Sequence, residues 1–170
     1  MYAQTTVPAR DALAPCPCDS GADYGSCCGP YHRGQALAPT PAALMRSRYS
    51  AFALGGLGAY LLTTWDPKYR DPALTAQMLD QRDSDWLGLE ILDASDDGTR
   101  GTVEFKATYR PLTTASGAPS QLLHERSRFR RHKGAWRYVD GVIDPPPRPA
   151  SRNAPCPCGS GKKAKRCCHA

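Results

Sequence analysis

The chain has 170 residues, 41% hydrophobic and 22% charged, with a formal net charge of +6. Its mean hydropathy is −0.52, and no apolar run approaches the roughly 20 residues that cross a bilayer, so a helical membrane protein is excluded. The charge is uneven: residues 1–147 hold 16 Lys+Arg and 16 Asp+Glu, while Arg148, Arg152, Lys162, Lys163, Lys165 and Arg166 supply the whole excess with no acid among them.

The opening MYAQTTVPARDALAPC lacks an apolar stretch long enough for a signal peptide, which makes a cytoplasmic location the expectation. The first organised segment, 14–34, contains APCPCDSGADYGSCC, with the spacing C-x-C-x8-C-C. The block 40–144 contains no cysteine and reads as the folded domain. It begins with Thr40 as a helix N-cap and Pro41 at the first helical position. Met45, Tyr49 and Phe52 then recur at helical spacing, and Gly55-Gly56 ends the element. A second helix is expected over about 57–64 and a third over about 72–82. The period then changes to two. WLGLEILDAS reads as a strand, DDG as a turn, and TVEFKATY alternates Val103, Phe105, Ala107 and Tyr109 against Glu104, Lys106 and Thr108. QLLHERSRFRR and AWRYVDGVI form a hairpin around His132-Lys133-Gly134. Helices followed by at least four antiparallel strands make an α+β domain, with a curled sheet packed on the N-terminal helices. Residues 145–152, within DPPPRPASR, read as an extended proline-rich linker. Residues 153–170 form the last segment and repeat the cysteine spacing in NAPCPCGSGKKAKRCC.

Segments near 20 residues are too short for cores of their own and need metals or disulfides. All eight cysteines fall in these two. Thiols in the cytoplasm stay reduced, and neighbours in C-x-C and C-C are poorly placed to bridge one another. Two Zn2+ sites are therefore expected, Cys16, Cys18, Cys27 and Cys28 holding one ion, Cys156, Cys158, Cys167 and Cys168 the other. Redox thiols and structural disulfides are the alternatives. His32 and His169 follow the final cysteines and are expected to be solvated, since four thiolates already close a tetrahedron. Two bound ions would leave a charge of about +2, because zinc ligation needs thiolates.

RNAPCPCGSGKKAKRCC resembles the SEC-C motif, a zinc-binding tail of the SecA translocation ATPase and other bacterial proteins, and the resemblance carries the ligand role onto Cys156, Cys158, Cys167 and Cys168. The first copy matches in its ligands but has Asp19, Ala22, Asp23 and Tyr24 in place of lysines. CCGPYHRGQALAPTPAALMRSRYSAF, LHERSRF and WRYVDG resemble the YchJ-like family of bacterial proteins. That resemblance implies a middle domain similar to nuclear transport factor 2, a cone-like α+β fold, and no particular activity.

Alternation places Glu125 with Leu123, Ser127 and Phe129 on one face, and Asp140 with Trp136 and Tyr138 on another. If both faces point inward, Arg46 or Arg48 of the first helix meets these acids. The set is then either a ligand pocket or an ion pair fixing helix to sheet, and structural pairing is the stronger expectation. Catalytic motifs are lacking, so the leaning is away from an enzyme. Three functions compete. A binding or adaptor protein would dock an acidic protein partner through Lys162, Lys163, Lys165 and Arg166. The same cations would contact phosphates in RNA or the ribosome, although the tail has no aromatic residue for stacking. A pocket in the middle domain would take a small molecule or act as an enzyme.

Overall fold

The computed structural model describes residues 11–112, 119–147, 160, 162, 163 and 166. After a 3-10 turn, Tyr24–Ser26, come α1 (Gly29–His32), α2 (Pro41–Leu54), α3 (Gly58–Thr63) and α4 (Ala76–Asp80). The strands follow: β1 (Ser84–Asp96), β2 (Arg100–Pro111), β3 (Gln121–His132) and β4 (Ala135–Ile143). None of the described helices is long and apolar enough to cross a membrane.

α2 starts and stops where its signals lie. Thr40 Oγ1 accepts from the Ala43 N–H at 3.1 Å, and Gly55 takes φ 71° after the last turn. α4 is shorter than expected because Asp71 first turns the chain, its Oδ1 accepting from Ala73 N at 2.8 Å. Thr75 then caps the helix by accepting from Met78 N.

The strands form one antiparallel meander in the order β1-β2-β3-β4. This is the α+β layout expected, with one difference. The sheet is uncurled rather than wrapped round the helices. Its edge strands do not meet: β4 pairs instead with the chain after α3, Asp66 N donating to Tyr138 O and Tyr138 N to Thr64 O. Alternation on β2 buries Val103, Phe105 and Ala107 against the helices. On β4 it breaks. Phe129 faces Tyr138 but Arg128 faces Asp140, so Val139 is an extra residue. Such a bulge reverses every side chain beyond it.

The first cysteine segment shares this core. Cys16, Cys18, Tyr24 and Cys28 pack in one cluster with Leu44, Met45, Tyr49, Phe105 and Trp136. The Trp136 indole N–H also donates to Pro39 O at 3.1 Å, tying the approach to α2 onto β4.

Candidate metal centre

Residues 12–25 make a miniature hairpin. Cys16 N donates to Ala22 O, Tyr24 N to Ala14 O and Gly25 N to Ala12 O. Asp19 and Gly21 turn it with φ of 54° and 79°, conformations that glycine, and less readily aspartate, adopt. The hairpin presents Cys16 and Cys18. The 3-10 turn then folds back to Cys27 and to Cys28, which stands at the N-cap of α1.

One sulfur from each of the four cysteines lies within 4.8 Å of the others. Cys18 Sγ is 3.6 Å from Cys27 Sγ, which is 3.8 Å from Cys28 Sγ. A tetrahedron with metal–sulfur bonds of 2.3 Å has edges of about 3.8 Å. Four soft donors at that spacing fit a tetrahedral, thiophilic ion, and the thiols are not bridged to one another.

Four thiols this close cannot all ionise without a cation. Hydrogen bonds from Cys16 and Cys28 hold the Cys18 thiol far below the ordinary thiol range. Hydrogen bonds to Cys16 and Cys18, then burial, push Cys28 far above it. Burial also pushes Cys27 up. A divalent ion removes this conflict by displacing protons from all four.

α2 and β1 support the centre from outside. Arg46 Nη1 donates to the Cys18 carbonyl at 2.6 Å. Ser50 Oγ lies 3.4 Å from Cys28 Sγ and 3.7 Å from Cys16 Sγ. Ser20 Oγ lies 3.2 Å from Cys27 Sγ. The Asp19 carboxylate accepts from Leu89 N at 3.0 Å, beside a bulge in β1.

His32 departs from the expectation of a solvated ring, being only 6% exposed. Its Nε2–H donates to the Ser47 carbonyl, so Nδ1 accepts from the Tyr24 hydroxyl, each at 2.8 Å. Both nitrogens are therefore used, and His32 is a buried strut rather than a ligand. Burial lowers its pKa to about 4. Below the ordinary value of about 6.5 an unfolded chain takes up the proton and the folded one does not. Stability present above pH 6.5 is thus expected to fall progressively down to pH 4, by about 3 kcal/mol in all. NMR titration of the ring checks this: a midpoint near 6.5 would refute it.

The other candidate residues do not assemble into one acid–arginine pocket. Arg46 is spent on the cysteine hairpin. Arg48 is buried, with Nη1 donating to Leu61 O and Thr64 Oγ1 and its guanidinium against the rings of Trp65 and Tyr138. Burial lowers its pKa to about 10. Glu125 accepts from the Ser127 and Tyr138 hydroxyls at 2.6 and 3.1 Å, so Tyr138 stands between it and Arg48. Its carboxylate lies over Gly141, where a Cβ would come within 1.9 Å. Asp140 faces away and pairs with Arg128 on the open side of the sheet, because of the bulge at Val139.

Of the tail, Lys162, Lys163 and Arg166 are exposed. Cys156, Cys158, Cys167, Cys168, His169 and Lys165 lie outside the described residues. Sequence reasoning missed Ser47, Ser50, Asp66 and Arg130. The serines carried one signal, polar residues on a helix face that is otherwise apolar.

Two families match the chain. "YchJ, middle NTF2-like domain" covers residues 40–141, and the SEC-C motif covers 152–170. A UPF0225 protein of Pectobacterium carotovorum subsp. carotovorum (strain PC1) is 42% identical over 156 residues, 90% of this chain and 96% of that one. The solution structure of a SEC-C motif containing protein from Rhodopseudomonas palustris superposes with a TM-score of 0.66 at 42% identity, covering 75% of this chain and 96% of that one. The crystal structure of a SEC-C motif containing protein from Psychrobacter arcticus gives 0.65 at 30% identity, covering 93% and 97%.

Proposed function

The chain belongs to the YchJ family, and from that premise we propose that it is a cytoplasmic zinc-binding adaptor, holding two Zn2+ ions and docking an acidic protein partner through its cationic C-terminal segment. The observation that carries this reading is the cluster of four cysteine sulfurs within 4.8 Å. Four thiolates in a tetrahedron suit Zn2+ and close its coordination, which makes a structural rather than a catalytic site. The repeated C-x-C-x8-C-C spacing in the SEC-C match extends the reading to Cys156, Cys158, Cys167 and Cys168. Reduced thiols in the cytoplasm are available for both ions.

Support for docking comes from charge. The SEC-C match holds Arg152, Lys162, Lys163, Lys165 and Arg166 with no acid, and the three of these that are described are exposed. Single-signed charge of this kind speeds encounter with an opposite surface.

Native mass spectrometry of the freshly purified chain tests the metals: two zinc ions are expected, and none would end the reading. For the partner, the full chain with Lys162, Lys163, Lys165 and Arg166 changed to alanine is expected to lose proteins captured by the wild type. Retention of every one removes the tail from consideration, and salt-sensitive capture of RNA instead would point to phosphate recognition.

A further inference from the structure

Ser50 is an odd residue for its place. It lies inside α2 with no exposure at all, where alanine is the better helix former and a buried hydroxyl needs a partner. Both of its described hydrogen-bond partners are sulfurs: Oγ donates to Cys28 Sγ at 3.4 Å and lies 3.7 Å from Cys16 Sγ. These sulfurs come from the two arms of the cysteine segment, so one hydroxyl spans them. A metal-bound thiolate has no proton to give, which makes the serine the donor to either. One turn earlier, Arg46 holds the Cys18 carbonyl. A divalent ion with four thiolates carries about −2, and Cys16, Cys18 and Cys28 are buried, where uncompensated charge is expensive.

We propose that Ser50 is a positioning residue of the first metal centre, so that helix α2, and not the cysteine segment alone, sets metal retention and thiolate reactivity. The inference rests on the zinc reading above. A donated hydrogen bond draws electron density from sulfur. The bound thiolate then resists protonation and attack on electrophiles, and its orientation is fixed.

The test uses the full chain with Cys156, Cys158, Cys167 and Cys168 all changed to serine, so that only the first set reports. Zinc affinity is measured by competition with a chromogenic chelator, and thiolate reactivity by the rate of alkylation with iodoacetamide. In the Co2+-loaded protein, the sulfur-to-cobalt charge-transfer bands report the electron density on sulfur. Ser50→Ala is expected to lose about 10–100-fold in zinc affinity, to alkylate faster, and to shift those bands to lower energy. Ser47→Ala is the comparator: this serine is equally buried in the same helix but bonds Tyr60 OH and Leu44 O, not sulfur. A purely structural effect would move both variants alike, whereas the proposal moves the bands only for Ser50. If the parent chain binds zinc and Ser50→Ala matches it in affinity and bands, the inference fails and the zinc reading stands. If the parent binds no zinc, both fall.

Discussion

Stripping the ion proposed for the first centre is expected to unfold the middle domain, not only the cysteine segment around it. Cys16, Cys18, Tyr24 and Cys28 lie in the same core as Leu44, Phe105, Phe129 and Trp136, and His32 and Arg46 bond across the boundary. A structural zinc site in a peptide is worth about 10–16 kcal/mol, as much as the whole stability of an ordinary domain, about 5–15 kcal/mol. Cys18→Ser removes one ligand at a position with no exposure. It is expected to lower Tm by about 20 °C, the equivalent of losing about 5 kcal/mol in a domain of this size. Trp86, stacked edge-on against Tyr49, and Trp136 report the loss in near-ultraviolet circular dichroism. Cys156→Ser is the control, since it lies in the SEC-C match at residues 152–170, outside the middle-domain match at 40–141. Chelator that strips the ion yet leaves Tm within a few degrees would show that the first cysteine segment does not hold the core together.

Periodicity made the layout legible. Strand β2 alternates as written, Thr40-Pro41 and Gly55 bracket α2, and the cysteine spacing marked the four sulfurs that converge. What stayed hidden depends on partners remote in sequence. The stripe of Met45, Tyr49 and Phe52 describes only part of α2, because Ser47, Arg48 and Ser50 are buried as well. Each of these polar residues is satisfied by another segment: Ser47 by Tyr60, Arg48 by Thr64, Ser50 by Cys28. A helix wheel predicts which side is apolar, not which polar group a second element will meet. Asp140 shows the other failure. One extra residue at Val139 sends it to the open face, and strict alternation contains no signal for a bulge. His32 followed the last cysteine and looked like a solvated neighbour of a complete site, yet α2 and α3 close over it, Tyr60 stacking edge-on against its ring.

The second large effect lies far from the cysteines, at Asp66 and Arg130. Asp66 is wholly buried. Its Oδ1 accepts from Arg130 Nη2 at 2.8 Å and from Lys68 N at 2.9 Å, and its Oδ2 pairs with Arg130 Nε. Its own N–H donates to Tyr138 O, so this residue fixes the chain after α3 to the edge of β4. The partners are not equivalent, because the Arg130 side chain is 33% exposed. Asp66→Asn leaves a guanidinium that can turn to water. Arg130→Met leaves a carboxylate that cannot, with the Lys68 N–H as its main remaining donor. Breaking a buried pair is most harmful when the charge left behind stays buried, so Arg130→Met is expected to lower Tm by about 10 °C and Asp66→Asn by roughly half as much. The sign with pH separates this from lost packing. Hydrogen bonds from Arg130 hold the Asp66 carboxyl below its usual range. In the wild type that contribution is present above the unfolded value of about 3.9 and is lost as pH falls through the folded one. Without Arg130, burial is opposed mainly by the Lys68 N–H bond, so the carboxyl pKa rises from its wild-type position and the variant relieves its strain by taking up a proton. The gap between wild type and Arg130→Met should therefore narrow as pH drops below about 4. Urea midpoints measured from pH 7 to pH 3 decide it: equal losses in the two variants, or a gap independent of pH, would mean that the pair acts through packing and not through charge.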